Sequence, residues 1–273
     1  MFLTSLAEFD DPGPDETAPD YPRIYLFGDS LTERGFFEQN NGFGWKLGKY
    51  YEDRVEVVNR GYGGQTTRSL RDHFDKWVLG QAERRGPPAP LFITIFLGAN
   101  DACFAGHDTY VPIAEYEEHI RYYATSILEN PATKGTKVIL ITPPPIDVPP
   151  QSDLSEIPPV REAEFSIAKL GMGPRTWASK RRFAEKIVEI GREFEEKSEL
   201  VAVLDFWTAI TKFSCREKGK TDEEYAKLDD DEMLPGSGMP GTWKFGRSVF
   251  TDGLHLGKKV LPLSTASEFS YPD

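Results

Sequence analysis

Residue types that together could carry out nucleophilic catalysis occur at opposite ends of this 273-residue chain. Ser30 follows an apolar stretch in "IYLFGDS", and Asp252 and His255 are three residues apart in "TDGLHL". A serine nucleophile needs a base that takes its proton and an acid that orients the base, and these residues provide both types. Two local alternatives stay open, because Ser30 could cap a helix and Asp252 could cap a turn.

The chain contains four histidines that could act as the base. His73 and His119 lie in charged, helix-like stretches, where a solvated helix face explains them at least as well. His107 lies in a loop close behind an apolar run. A glycine between Asp252 and His255 permits a sharp turn, so both side chains could project to the same side. The residues alone therefore leave His107 and His255 open as the base.

Candidate donors for an oxyanion follow two further apolar runs. The segment "NRGYGGQTT" (59–67) contains glycines, which let a backbone N–H approach a ligand closely. The segment "GAND" (98–101) contains Asn100, whose side-chain amide can donate a hydrogen bond. Neither segment matches the Rossmann glycine pattern, and the chain has no phosphate-binding P-loop.

The elements that must position these residues are five short apolar, β-rich runs separated by helix-like segments. The runs are "RIYLF" (23–27), "VEVVN" (55–59), "LFITIFL" (91–97), "KVILIT" (137–142) and "LVAVLDF" (200–206). This alternation predicts an α/β fold, a three-layer α/β/α sandwich around a parallel sheet whose strands are buried on both faces. Ser30, the glycine turn and Asn100 follow the first three runs, so they should meet at one edge of the sheet.

The composition fits a folded domain and argues against two classes of partner. Hydrophobic residues make up 39% of the chain, and the formal net charge is -12. Such an acidic protein repels nucleic-acid phosphates and anionic lipid, so we expect neither as a partner. No apolar run has the length of a membrane span. Two cysteines are too few for a disulfide framework, and the N-terminus does not have the pattern of a signal or transit peptide, so we expect a cytoplasmic protein.

We expect a single domain over residues 22–273, preceded by an acidic, Pro-rich and disordered tail over residues 1–21. Two segments depart from the α/β pattern. Residues 143–175 are rich in proline, and residues 211–250 combine an acidic run with Gly/Pro-rich sequence. Both are predicted as loop insertions at the carboxyl ends of strands, where open α/β sheets bind ligands.

Four sequence blocks, in this order, resemble the GDSL, or SGNH, hydrolases. They are "FGDSL" (27–31), "GYGGQTT" (61–67), "GAND" (98–101) and "DGLHL" (252–256), and the resemblance spans roughly residues 23–257. The strings "GANDAC", "LITPPPI" and "LDFWTAI" also resemble the isoamyl acetate-hydrolysing esterase branch of that family. The resemblance implies the SGNH hydrolase fold, with a flavodoxin-like five-stranded parallel sheet.

The resemblance also implies roles for individual residues. Ser30 would be the nucleophile, His255 the general base and Asp252 the acid that orients the base. The oxyanion hole would consist of the backbone N–H of Ser30, the backbone N–H of Gly64 and the side chain of Asn100. Gly64 is chosen because the donor glycine of the family lies five residues after an asparagine, here Asn59. Neither a metal nor a cofactor is implied.

The resemblance implies a serine esterase that hydrolyses small carboxylic esters, such as short-chain acetates, through an acyl-enzyme. Two other substrates stay open for the same site, since a carbohydrate O-acetyl esterase or a lysophospholipase would use the same residues. A non-catalytic ligand-binding module on the same scaffold is the alternative from another class. The complete set of serine, glycine, asparagine and Asp-x-x-His argues against it, because binding alone does not need all of them.

The sequence after "DGLHL" departs from the family pattern, which continues into a terminal helix. Here Pro262 interrupts a short segment that is too broken to form that helix. Two explanations stay open: a truncated product, or a homo-oligomer in which a subunit contact covers that face.

Other polar residues near the blocks have structural interpretations. We expect Cys103 to be a small buried group, Asp101 to shape its turn or cap a helix, and Asp29 to cap or hydrogen-bond within the serine loop. The acidic run at 229–232 is expected to be a solvated loop and not a metal site.

Overall fold

The computed structural model of the protein describes residues 21–147 and 175–259. Its centre is a parallel sheet of five strands in the order β2-β1-β3-β4-β5. The strands are β1 (Arg23–Gly28), β2 (Glu56–Gly61), β3 (Phe92–Phe96), β4 (Lys137–Ile141) and β5 (Val201–Leu204). The predicted flavodoxin-like sheet is therefore confirmed, and its strand order reverses between β1 and β3.

Helices connect the strands along the described part of the chain. They are α1 (Ser30–Arg34), α2 (Phe43–Tyr50), α3 (Arg71–Phe74), a π-helical turn (Asp75–Leu79), α4 (Gly80–Arg85), α5 (Ile113–Glu129), α6 (Trp177–Glu195), α7 (Phe206–Glu217) and α8 (Asp222–Asp230). Two short 3₁₀ turns lie at Glu38–Asn40 and Pro131–Thr133.

Alternate residues of the strands pack against two separate helical layers. In β1, Tyr25 and Phe27 belong to a core shared with α3, α4, α5 and α6. Ile24 and Leu26, on the opposite face, belong to a core shared with α1, α2 and α7. Because side chains alternate between the faces of a strand, this pattern places helices on both sides of the sheet. The predicted three-layer α/β/α sandwich is confirmed.

Burial differs between the central and the outer strands. β1 and β3 are buried along their whole length, and β4 is buried after its first residue. β2 is only partly buried, and β5 has one buried residue, because these strands form the two edges of the sheet. The prediction that all five runs are buried on both faces is therefore wrong for β2 and β5.

The predicted loop insertion over residues 211–250 is wrong in its first part. Residues up to Glu217 continue α7, and the acidic segment 221–232 lies largely in α8. Of the run at 229–232, which was expected to be a loop, Asp229 and Asp230 belong to the helix. Thr221 begins α8 with a capping box, in which its hydroxyl accepts from the backbone N–H of Glu224 and the Glu224 carboxylate accepts from the backbone N–H of Thr221. The other predicted insertion, 143–175, lies mostly outside the described residues, as does the tail before residue 21.

Within the described ranges, no helix combines the length and the apolar character that crossing a membrane requires.

Candidate active site

The turn after β1 holds Ser30 at the carboxyl edge of the sheet. Asp29 caps α1, its Oδ1 accepting a hydrogen bond of 2.8 Å from the backbone N–H of Leu31. A Cβ at Gly28 would lie 2.1 Å from Thr32 Oγ1 and 2.5 Å from the carbonyl oxygen of Phe96. Only glycine fits between the strand and the first helical turn, so the chain enters α1 abruptly and Ser30 becomes its first residue.

The segment after α8 brings His255 to this serine across 225 positions of sequence. Gly253 has a φ of +87°, in the left-handed region that glycine adopts without strain. The turn that it permits lets Asp252 Oδ1 accept from the backbone N–H groups of Leu254 (3.1 Å) and His255 (2.8 Å). The predicted turn therefore places both side chains on the same side.

Ser30, His255 and Asp252 form a continuous chain of hydrogen bonds. His255 Nε2 lies 3.0 Å from Ser30 Oγ, and His255 Nδ1 lies 2.7 Å from Asp252 Oδ2. An ionised carboxylate accepts only, so Nδ1 carries the imidazole proton and Nε2 is left to accept from the serine hydroxyl. This arrangement has the geometry of a nucleophile, a base and an orienting acid.

The Asp252 carboxylate stays ionised in this environment. Partial burial on its own would raise its pKa, but hydrogen bonds from the side chain and backbone of His255, together with its charge, lower the pKa to about 2. The guanidinium of Arg34 lies 3.7 Å from Asp252 Oδ2. The acid can therefore balance a positive charge that develops on the imidazole when Ser30 loses its proton.

The other three histidines are placed elsewhere. His107 is exposed and contacts Thr109 through Nδ1 at 2.9 Å. His119 lies on α5, 3.3 Å from Glu115, and the ring of His73 packs edge-on against Tyr62. The alternative base that the sequence left open is therefore not at Ser30.

The turn after β3 holds Asn100 in a fixed orientation. The residue is 5% exposed. Its Nδ2 donates to the carbonyl oxygen of Gln65 (2.7 Å), and its Oδ1 accepts from Arg175 Nη2 (2.7 Å). The Nδ2 group carries two hydrogens, and Gln65 takes one of them. The second hydrogen can serve a developing oxyanion.

The three glycines of "GYGG" differ in what surrounds them. A Cβ at Gly61 would lie 2.1 Å from the backbone nitrogen of Glu33, and a Cβ at Gly63 would lie 2.7 Å from Glu33 Oε2. Gly64 has a φ of +75°, and a Cβ there would meet no atom within 4 Å. Gly61 and Gly63 therefore pack closely against Glu33 of α1, whereas a side chain at Gly64 would meet open space.

Two buried acids have structural roles in the neighbouring turns. Asp29 caps α1 as described, and Asp101 accepts from Thr67 through both the backbone N–H (2.9 Å) and the hydroxyl (2.5 Å). Burial raises the pKa of Asp101 to about 6. Its contacts join the turn after β2 to the turn after β3, as expected for a residue that shapes its turn. Cys103 is buried and free, as predicted.

Two charged residues beside the site were not identified from the sequence. Arg175 contacts Asn100, and Lys180 of α6 is fully buried. Burial, followed by the nearby charge of Arg175, lowers the pKa of Lys180 to about 7. Arg175 is the last residue of the Pro-rich segment 143–175, which also contains Arg161 and Lys169, and Lys180 lies in the basic stretch "SKRR". Neither therefore has a sequence signal that separates it from surface charges.

Comparison with known proteins decides the family. The model of the GDSL-like lipase/acylhydrolase family matches residues 24–261, which include all four blocks and the whole described site. The chain belongs to this family. The resemblance stated from the blocks alone is thereby confirmed.

Two curated relatives match about half of the chain. A GDSL esterase/lipase of Arabidopsis thaliana is 39% identical over 128 residues, which cover 46% of this chain and 51% of the relative. The isoamyl acetate-hydrolyzing esterase 1 homolog of Mus musculus is 36% identical over 130 residues, which cover 46% of this chain and 49% of the relative. The match therefore spans about half the length of these relatives.

A solved structure supports the fold. An acetylxylan esterase from Geobacillus stearothermophilus, solved as a catalytic mutant, superposes with a TM-score of 0.52 over 88% of each chain. Its sequence identity is 16%, so the similarity concerns the arrangement of the sheet and helices.

Proposed function

We propose that the protein is a serine esterase that hydrolyses small carboxylic esters through an acyl-enzyme. The observation that carries the proposal is the hydrogen-bond chain from Ser30 Oγ to His255 Nε2 (3.0 Å) and from His255 Nδ1 to Asp252 Oδ2 (2.7 Å). Membership of the GDSL-like lipase/acylhydrolase family supports the same reaction class.

In the first half-reaction, Ser30 Oγ attacks the ester carbonyl carbon while its proton passes to His255 Nε2. The carbonyl oxygen becomes an oxyanion, which the Asn100 amide and the backbone N–H groups of Ser30 and Gly64 stabilise. The bond to the leaving alcohol then breaks, and His255 returns the proton to the alcohol oxygen. Asp252 stabilises the imidazolium between these steps.

In the second half-reaction, water attacks the acyl group on Ser30 and gives a proton to His255. The same three donors stabilise the oxyanion that forms in this step. The bond between the acyl carbon and Ser30 Oγ breaks, the carboxylic acid leaves, and His255 returns the proton to Ser30. Ser30 and His255 thereby return to their starting protonation states, and the enzyme is regenerated.

A small cleft beside His255 supports a short acyl or alcohol group as part of this proposal. This cleft has a volume of about 20 Å³, and its lining combines Leu31, Phe43 and Leu256 with the polar side chains of Arg34 and Asn40. Such a space holds a group of about the size of one water molecule or one methyl group. Similarity to relatives named as isoamyl acetate-hydrolyzing esterase homologs also favours acetates.

The test is the initial rate on p-nitrophenyl acetate through decanoate for the wild type, for Ser30→Ala and for a control, Ser248→Ala. Ser248 is exposed and outside the site. We expect the highest rate on the shortest esters and a loss of at least about 10³-fold in Ser30→Ala, with Ser248→Ala unchanged. Equal, negligible rates in all three proteins would support a non-catalytic scaffold instead.

A further inference from the structure

Arg175, immediately before the cap of α6, reaches across to the turn after β3. Its Nε donates to the carbonyl oxygen of Ala99 (2.5 Å), and its Nη2 donates to Asn100 Oδ1 (2.7 Å). The guanidinium therefore contacts two consecutive residues of the turn that presents the Asn100 amide. Only one of these contacts is with a side chain, and that side chain belongs to the proposed oxyanion hole.

The contacts of Asn100 allow one orientation of its amide. Oδ1 faces a guanidinium, which can only donate, and Nδ2 faces the carbonyl oxygen of Gln65, which can only accept. A rotation of the amide by 180° would place a donor against Arg175 and an acceptor against Gln65. Both contacts would then be repulsive, so the observed orientation with Nδ2 as the donor is strongly selected.

We propose that Arg175 is a positioning residue for the oxyanion hole. Its hydrogen bond to Oδ1 keeps the Asn100 amide oriented with Nδ2 as the donor. The positive charge of the guanidinium beside Oδ1 also polarises the amide, so that Nδ2–H becomes a stronger donor when the oxyanion forms. This inference rests on the proposed function. Preorganised donors account for a large part of the rate in acyl transfer, so a loss of orientation should lower kcat more than it raises KM.

The backbone attachment of α6 to the same turn does not depend on the guanidinium. Ser179 Oγ donates to the carbonyl oxygen of Ala102 (2.8 Å), and the backbones of Cys103 and Arg175 form an antiparallel bridge. A variant that lacks the guanidinium keeps these contacts. We therefore expect Arg175→Met to fold and to change mainly the surroundings of Asn100.

The test compares kcat and KM on p-nitrophenyl acetate for Arg175→Met, Asn100→Ala and the double variant. We expect Arg175→Met to lower kcat by about 10- to 100-fold with little change in KM, and Asn100→Ala to lower it by about 10²–10³-fold. In the Asn100→Ala background, Arg175→Met should cost nothing further. Arg182→Met, an exposed residue of the same helix, is the matched control.

Two further readouts separate positioning from a general structural effect. Added guanidinium ion should restore part of the activity of Arg175→Met and none of that of Asn100→Ala. The side-chain amide resonances of Asn100, assigned by their loss in Asn100→Ala, should shift in Arg175→Met and stay unchanged in Arg182→Met.

The inference is overturned if Arg175→Met keeps the wild-type kcat or if the amide resonances of Asn100 do not shift. It is also overturned if the fold-loss of kcat in the double variant equals the product of the losses in the two single variants. Failure of the proposed function looks different, because then the wild type itself has no Ser30-dependent activity. In that case the resonances of Asn100 still decide whether Arg175 holds the amide.

Discussion

Replacing Asp252 by asparagine should separate catalysis from folding in this protein. Asp252 uses its two oxygens for different tasks. Oδ1 accepts from the backbone N–H groups of Leu254 and His255, and Oδ2 accepts from His255 Nδ1 at 2.7 Å. In Asp252→Asn the amide oxygen can keep the backbone contacts, while the amide nitrogen faces the imidazole.

The expected loss of activity follows from the tautomer of His255. An amide nitrogen donates, so Nδ1 must then accept and the imidazole proton moves to Nε2. Nε2 lies 3.0 Å from Ser30 Oγ and would donate to the serine instead of taking its proton. We expect kcat to fall by about 10⁴-fold, the size of effect that this exchange has in a serine triad.

The expected loss of stability is small. Lowering the pKa of Asp252 from 3.8 to about 2 corresponds to at most about 2.5 kcal/mol. The side chain is 36% exposed, and solvent screening reduces the value to roughly 1 kcal/mol. Because the folded-state pKa is depressed, this stability is present above the unfolded-state pKa and is lost as the pH falls toward 2. The two proteins should therefore converge in unfolding free energy over that range.

The assay combines kcat on p-nitrophenyl acetate, urea unfolding between pH 2 and pH 7, and the ¹⁵N shifts of His255, which report the tautomer. Asp230→Asn, at the exposed end of α8, is the control for a lost surface charge. The reasoning is refuted if Asp252→Asn is folded and its kcat lies within tenfold of the wild type. An unchanged His255 tautomer would refute it equally.

Two further predictions follow from the packing around the site. Gly64→Ala should remain folded, at a cost of about 1 kcal/mol for its positive φ, because a Cβ there meets no atom within 4 Å. It should lose kcat/KM because relief of that backbone strain moves the N–H that we propose as an oxyanion donor. Gly61→Ala should be much less stable, since its Cβ would lie 2.1 Å from the backbone nitrogen of Glu33. Melting temperatures and kcat/KM for both variants check this, and full activity of Gly64→Ala would contradict it. Lys180→Met should remove a pH dependence of stability. The pKa of Lys180 is about 7 in the folded state and 10.5 in the unfolded state, so between pH 7 and pH 10.5 the unfolded chain binds more protons than the folded one. The wild type therefore gains stability as the pH rises through that window. Equal slopes of unfolding free energy against pH in the two proteins would contradict this assignment.

The sheet could be predicted from the sequence because its strands are short apolar runs between helix-like segments. The observed bounds differ from the runs by one or two residues. The burial of β2 and β5 could not be predicted in the same way. An apolar run does not show whether its strand lies in the centre or at an edge, because this depends on the strand order.

The error over residues 211–250 has a different origin. Acidic composition suggested a solvated loop, although the spacing of Thr221 and Glu224 is that of a capping box and marks the start of a helix. The capping-box spacing was thus visible in the sequence, but the prediction followed the acidic composition of the segment.

From the residues themselves, only contacts between neighbours in sequence could be predicted at the site. The spacing of Asp252 and His255 predicted that both side chains share one side of a turn, and the structure places them so. The contact of His255 with Ser30 joins residues 225 positions apart, and only the resemblance linked them. The contact of Arg175 with Asn100 depends on how α6 packs against the turn after β3, which no local pattern encodes.

Covalent labelling tests the central claim, that Ser30 is an activated nucleophile, most directly. The full chain is incubated with diethyl p-nitrophenyl phosphate, and the intact mass and the modified peptide are determined. We predict one diethylphosphoryl group for each chain, located on Ser30, with stoichiometric release of p-nitrophenolate and no labelling of Ser30→Ala. An unlabelled wild type, or a label on another residue, would contradict the account.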